Sequence, residues 1–492
     1  MSLDPDRGGP SPPPTGVIGL GYMGLATAAA FARHGVPTFG YDVVPERRAT
    51  VRAGHAPFHE DGLEALIRGE VRRGRLTIVE SLEELARRAS VIFLCLPTPP
   101  RSDGRIDLRP IRAGARQLGR ALAGVDAFRL VVVKSTVVPG TTESVVGPEL
   151  RRAAGKGPDQ IAVAASPEFL AEGRMVEDAL HPDRVVVGVS DPRAARLVES
   201  LYACFESPLL LMAPAAAEMT KYAANSFLAM KISFANELSR FSEQVGIDVD
   251  DVARGLGSDR RVGRRFLDAG PGFGGSCFSK DVQAFVRSAR DHGVRLRLAG
   301  QVMPVNDEQT RHATSLILRE IPGTGRRGTA AILGLAFKEG TDDLRESRAL
   351  PIVEQLAARG VSVRVHDPVA SVKFRAWLAD QKPSVRRRVT VAATVDEALD
   401  GAEVAALQVP WPEYLAWSRA WSKRMRHPVL VDLRRAFPIE RAKAVGLRLV
   451  RLGDGRASVE PPRVPRARSA ARTSATVGAF ARPTAVGPEA VG

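Results

Sequence analysis

From Thr15 onward, short apolar runs alternate with polar stretches of helical spacing. GVIG is followed by glycines and an Ala-rich segment ending at Gly35. VPTFGYD, VIFLCLPTP, RLVVVKSTVVPG, IAVAASPEF and RVVVGVS then each supply a further apolar run. Runs this short, separated by helical stretches, predict strands of a parallel sheet buried on both faces. Near 205 the pattern changes. AAAEMTKYAANSFLAMKISFANELSRFSEQVG has no internal Pro or Gly and predicts one long helix ending at Gly246. A shorter helical stretch and the loop GPGFGGSCFSKD follow. A second strand–helix series then runs through TAAILGLAFK, VSVRVHDP, VAALQVP and PVLVDLRRAF. The expected fold is α/β, with two doubly wound parallel-sheet (Rossmann-like) domains bridged by a long central helix. The expected boundaries are a disordered tail at 1–14, a dinucleotide-binding domain at 15–205, a central helical domain at 206–310, a second α/β domain at 325–455, and a disordered basic tail at 456–492.

Composition narrows the class. The 492 residues are too many for one core, and 44% hydrophobic with 25% charged residues suits a globular protein. No apolar run reaches the length of a membrane span, so no membrane insertion is expected. The opening residues carry acids and prolines where a secretory leader needs a basic and then an apolar stretch, which predicts a cytoplasmic protein. Three cysteines exclude a disulfide framework, and no Cys/His spacing fits zinc, so no metal is expected. A net charge of +15 raises the question of nucleic acid. Only 10 of the 70 basic residues are lysines, however, the arginines are spread along the whole chain, and no aromatic-interleaved motif accompanies them. That is compositional bias, and no nucleic-acid partner is expected. The scarce lysines become informative, because Lys134, Lys221, Lys280 and Lys338 fall inside the densest motifs. The arginines of the C-terminal stretch read as a solvated tail.

Gly19, Gly21 and Gly24 spell G-x-G-x-x-G between a predicted strand and helix, the arrangement that brings a pyrophosphate to a helix N-terminus. Asp42 ends the next strand, where a carboxylate can accept from a ribose 2′-hydroxyl and disfavours a 2′-phosphate. GPGFGGSCFSKD presents Cys277 beside Lys280, and a neighbouring cation is expected to lower the thiol pKa, making Cys277 a candidate nucleophile. Cys95 and Cys204 sit in apolar surroundings and read as small hydrophobes. Asp281 could orient a water or a base, or act as a helix N-cap. Lys221 and Asn225 lie four apart on the long helix and share a face, where they could stabilise an oxyanion or form a solvated pair. A dinucleotide site combined with a nucleophilic cysteine points to oxidation of an alcohol through the aldehyde to an acid. The thiol adds to the aldehyde, the thiohemiacetal gives up a second hydride, and the thioester hydrolyses.

These stretches resemble the nucleotide-sugar dehydrogenases of the UDP-glucose/GDP-mannose dehydrogenase family. The resemblance runs over residues 15–452 through VIGLGYMGL, CLPTP, VVVKSTVVPGTT, SPEFLAEG, VEDALHPDRVVVG, EMTKYAANSFLAMKISFANE, GPGFGGSCFSKD, LGLAFKEGTDDLRES, HDP and VDLRR. It implies NAD as cofactor, UDP-glucose as substrate and UDP-glucuronate as product, supplied to polysaccharide or glycoconjugate synthesis. It also implies a homodimer built on the long helix and a UDP-sugar-binding role for 325–455. GDP-mannose is the alternative sugar nucleotide. A single-step NAD alcohol dehydrogenase and a catalytically inactive nucleotide-sugar-binding protein are the competing readings. By resemblance Cys277 carries the thiohemiacetal and thioester, Lys221 and Asn225 hold the oxyanion, and Asp281 positions water. Glu168 is the candidate base for hydrolysis, and Thr136 lies beside water and nicotinamide. The cofactor would be held by Gly19, Gly21, Tyr22, Met23, Gly24, Asp42, Arg47, Thr98, Thr136, Glu172, Lys280 and Arg345. Substrate contacts would come from Glu168, Phe169, Leu170, Lys221, Asn225, Phe266, Leu267, Gly274, Lys338 and Arg434. Arg261 would reach the partner subunit's substrate.

Overall fold

The structure, a computed structural model, describes residues 11–58, 60–323 and 328–455. Most of the expected N-terminal tail and all of the basic tail at 456–492 lie outside the described residues.

Two sheets form the frame. The first has eight strands in the order Leu76–Ile78, Thr38–Tyr41, Thr15–Ile18, Val91–Leu94, Arg129–Val133, Ile161–Ala165, Val185–Val189, Leu209–Met212. Its strands pair in parallel except at one junction, where Ile161–Ala165 runs antiparallel to Val185–Val189. The second sheet is parallel throughout, in the order Val389–Val391, Ser362–His366, Thr329–Leu333, Val404–Leu407, Val429–Asp432, Arg448–Arg451. Both put the first strand of the series beside the fourth, which opens the crevice where doubly wound sheets bind ligands. The near-continuous apolar strands follow from helices on both faces. Val91–Leu94, for example, sends Val91 and Phe93 into one core and Ile92 and Leu94 into another.

The long helix spans Pro214–Val245, about 48 Å at 1.5 Å per residue. Proline at its first position presets the backbone, and Gly246 ends it in the left-handed conformation at φ 76°. The helix Val249–Gly257 follows, where Asp248 and Asp250 take Arg435 and Arg451 of the second α/β unit. The long helix therefore bridges the two sheets, as expected. The helices Phe278–Asp291 and Arg297–Arg319 pack along it, and the second continues past the expected boundary at 310.

Candidate active site

The glycine turn is built for close approach. A Cβ on Gly24 would lie 1.8 Å from the Gly19 carbonyl oxygen, and Gly19 itself has φ 96° with Cys95 backbone against it. A Cβ on Gly21 would meet nothing within 4 Å, so the turn leaves open space at the N-terminus of the helix Tyr22–Arg33. That space and the free helix amides fit a dinucleotide pyrophosphate. Asp42 is buried, accepts from Leu20 N at 2.8 Å and Val44 N at 2.9 Å, and pairs with Arg47 at 3.0 Å. Thr98 donates to the Thr136 carbonyl at 3.0 Å, tying two strand ends together.

A cavity of about 840 Å³ lies between the sheets and the long helix. Tyr22 and Met23, from the start of the helix after the glycine turn, line it. So do Glu168, Phe169, Leu170 and Glu172 from the loop after the strand Ile161–Ala165. Lys221 and Asn225 enter from the long helix, Phe266, Gly274 and Cys277 from the glycine-rich loop, and Lys338 from the second sheet. Lys221 and Asn225 share a face, as their spacing predicts, and both are buried rather than solvated.

Lys221 Nζ lies 3.0 Å from Glu168 Oε1. Burial lowers the Lys221 pKa, but Glu168, Asp281 and Cys277 outweigh it, so the ammonium is held above its ordinary range. Asp281 is 1% exposed, accepts from Asn225 Nδ2 at 2.6 Å, and pairs with Lys280 at 2.6 Å. Two sequence expectations are corrected here. Asp281 is not the N-cap of its helix, a position Cys277 occupies; Asp281 lies in the first turn. Lys280 is committed to Asp281, and the cation that favours the thiolate is Lys221. Burial and the Glu168 charge prevail over it, raising the Cys277 pKa although the residue is exposed to the cavity.

Glu172 sits where the two sheets meet. Its carboxyl is 3.5 Å from Arg345, its backbone carbonyl accepts from Lys338, and Oε2 has no hydrogen-bond partner among the described residues. Burial and then Asp343 push its pKa up to about 7 against Arg345 and Lys338.

Other expected residues lie off the cavity. Leu267 is 2% exposed and is not among the residues lining it. Arg434 is packed inward, donating to Gln408 O at 2.8 Å and Phe337 O at 3.2 Å. Arg261 points to solvent, paired with Asp259 at 2.6 Å.

Several supporting residues escaped the sequence reading. Asn306 brackets Phe273, accepting from its N–H at 2.8 Å and donating to its carbonyl at 3.0 Å. Gln309 and Asn236 hold Gly270, and Thr310 holds Pro271. Asn306, Gln309 and Thr310 follow helical spacing on one buried face, a pattern that could have marked them. Glu60 accepts from Gly173 N and Met175 N, shaping the loop that carries Glu168 and Glu172. Glu218 of the long helix accepts from Gly140 N and Thr142 N, fixing the turn after Thr136.

The comparisons with known proteins fit this arrangement. Sequence models of the UDP-glucose/GDP-mannose dehydrogenase family match three segments: its NAD binding domain at 15–206, its central domain at 215–308 and its UDP binding domain at 331–438. The UDP-glucose 6-dehydrogenase of Pseudomonas aeruginosa is 39% identical over 450 residues, covering 90% of this chain and 97% of that protein. The UDP-glucose 6-dehydrogenase AglM of Haloferax volcanii is 38% identical over 425 residues, covering 85% and 96%. A solved UDP-glucose dehydrogenase from Pyrobaculum islandicum superposes with a TM-score of 0.82 at 38% identity, covering 92% of this chain and all of that one. Matched by all three domain models and 39% identical to a relative over 90% of its length, the chain belongs to the UDP-glucose/GDP-mannose dehydrogenase family.

Proposed function

We propose that this chain is a UDP-glucose 6-dehydrogenase that oxidises the sugar's primary alcohol to the carboxylate of UDP-glucuronate in two NAD-dependent steps. The observation that carries the reading is one cavity taking in Cys277, the Lys221–Glu168 pair, Asn225 and the start of the dinucleotide helix at Tyr22. NAD supplies the hydride acceptor for both oxidations. Asp42 and Arg47 hold its adenosine end. Tyr22, Thr98, Thr136, Glu172 and Arg345 border the rest of the groove. Phe169, Leu170, Phe266, Gly274 and Lys338 enclose the sugar nucleotide, and Arg434 backs the loop behind it. UDP-glucose is preferred to GDP-mannose because the relatives above are named for it.

Cys277 Sγ adds to the carbonyl carbon of the aldehyde, while Lys221 Nζ and an Asn225 N–H hold the oxygen as it gains charge. With the thiol pKa raised, the sulfur's proton passes to the carbonyl oxygen as the C–S bond forms, and the thiohemiacetal then gives up a hydride to the acceptor and its hydroxyl proton to solvent, leaving the thioester. At the thioester, Glu168 takes a proton from the attacking water. The C–S bond then breaks, returning the thiol and releasing the acid. Asp281, fixed by Asn225 and Lys280, orients the amide and the water.

We also infer a homodimer. Phe227, Phe234 and Phe241 of the long helix are 56%, 48% and 64% exposed and stand seven residues apart, forming an apolar stripe for a second copy. Arg261, turned away from its own cavity, then serves the partner's.

The test is Cys277→Ser with UDP-glucose and NAD. Loss of UDP-glucuronate, measured by anion-exchange chromatography, is the expected result. Wild-type acid production would remove the cysteine from the mechanism.

A further inference from the structure

The loop that presents Cys277 is held from outside itself. Gly270, Gly272, Gly274 and Gly275 give it little stiffness of its own. A Cβ on Gly274 would lie 2.4 Å from the Glu346 carbonyl oxygen, and the Gly275 N–H donates to the Arg345 carbonyl at 3.0 Å. The loop therefore rests on the segment Arg345–Arg348, which leads from the strand Thr329–Leu333 of the second α/β unit to the helix Ala349–Ala358. Glu346 adopts the left-handed conformation there, at φ 55°.

Arg348 closes this joint. It is 5% exposed. The other buried arginine among the described residues, Arg129, spends its donors on the nearby carbonyls of Ala86, Arg87 and Phe128. Arg348 instead crosses between units. Its Nε donates to the Phe273 carbonyl at 2.6 Å, and Nη1 donates to Asp307 Oδ1 of the helix Arg297–Arg319 at 2.9 Å. Nη2 lies 3.6 Å from Glu346 Oε2. One planar guanidinium thus joins the second unit, a central helix and the cysteine loop. The Phe273 carbonyl also accepts from Asn306 at 3.0 Å, so the charge-assisted bond from Arg348 is the second of two that fix it. The Phe273 ring meets Phe278, the residue after Cys277, edge to face at 5.8 Å. A shift at Phe273 is therefore passed to the neighbour of the sulfur.

The two oxidations make unequal demands on this loop. Removing a hydride from the alcohol needs the sugar beside the acceptor and has no use for the sulfur. Adding Sγ to the aldehyde needs the sulfur within bonding reach of the carbonyl carbon, where a misplacement of about 1 Å can cost about a hundredfold.

We propose that Arg348 is a positioning residue for the second oxidation, its guanidinium holding the Phe273 carbonyl so that the loop sets Cys277 Sγ against the aldehyde carbon. The inference rests on the role assigned to Cys277 above.

The test supplies the 6-aldehyde of UDP-glucose to the full-length enzyme in two directions. With saturating NADH the aldehyde is reduced to UDP-glucose, hydride passing to the carbonyl carbon and a proton to its oxygen, and the sulfur takes no part. With saturating NAD it is oxidised through the sulfur to UDP-glucuronate. Arg348→Met should slow the oxidation at least about tenfold while the reduction stays within about twofold of wild type. A merely structural loss lowers both rates by one factor. An equal fall in both directions, or an unchanged oxidation, overturns the proposal. If the Met protein does not fold, as judged by melting temperature, Arg348→Gln is read by the same criteria. Cys277→Ser separates the two readings, since it should keep the reduction and lose the oxidation. If it keeps both, the role of Cys277 itself fails; if it behaves as expected while Arg348→Met lowers both rates equally, only Arg348 loses its role.

Discussion

Glu172 shows how a single environment sets chemistry. Its carboxyl, pushed up to about 7 by burial and by Asp343, binds a proton in the folded protein that the unfolded chain, titrating near 4.5, has already released. Between these values the native state holds more protons, so stability contributed at this position falls as pH rises from about 4.5 to 7. The melting temperature of the cofactor-free enzyme should carry that downward slope, and Glu172→Gln should flatten it. An unchanged slope would mean that Arg345 and Lys338 neutralise the carboxylate fully. Residues whose type announces chemistry were legible in the sequence, namely Cys277 in its glycine loop and Lys221 with Asn225 at helical spacing. Asn306, Glu60 and Glu218 were not. A buried polar side chain bonded to a loop backbone looks, in one sequence, like any solvated polar residue, and only the fold shows which carbonyl or N–H it meets. The thiol pKa was misread for the same reason. Sequence neighbours gave Lys280 as the cation, whereas the chain path gives Lys280 to Asp281 and brings Glu168 towards the sulfur.

At the scale of elements, the strand–turn–helix unit at 15–33 makes a separable prediction. Gly21→Ala adds a Cβ with no protein atom within 4 Å, so the variant should fold with a near-wild-type melting temperature. The methyl group occupies the space left for the pyrophosphate, so the KM for NAD should rise at least about tenfold, the equivalent of 1.4 kcal/mol. Gly24→Ala would instead drive its Cβ into the Gly19 carbonyl and should destabilise the protein as well. Matching melting temperatures and KM values for both variants would contradict the distinction. The sequence exposed the interior strands because apolar β-branched runs buried on both faces are conspicuous. The strands it missed, Leu76–Ile78, Leu209–Met212, Val389–Val391 and Arg448–Arg451, are all sheet edges of three or four residues. Three of them, LTI, VTV and RLVR, are short or carry polar residues and so fade into the neighbouring loops, whereas Leu209–Met212 is apolar throughout and its run was passed over. The antiparallel junction at Val185–Val189 had no local signal either, since the direction of a strand is set by its connection rather than by its residues.

Across the whole molecule, the long helix decides how the parts assemble. Its buried face carries Lys221 and Asn225 to the cavity, Phe227 lies at the cavity's edge, and Phe234 and Phe241 continue an exposed apolar stripe beyond it. Placing charge on that stripe should split the proposed dimer. Phe234→Glu with Phe241→Glu is expected to halve the mass measured by light scattering and to reduce activity, because Arg261 would lose the partner's site. A variant that keeps the wild-type mass would place the interface elsewhere. In the proposed mechanism one cavity performs both oxidations through a sulfur-bound intermediate. Its most direct test is the NADH formed per UDP-glucose consumed, followed at the nicotinamide absorbance with limiting sugar. The mechanism predicts a ratio of about two, with UDP-glucuronate as the product. A ratio near one, with free aldehyde released, would contradict it and leave Cys277 without its role.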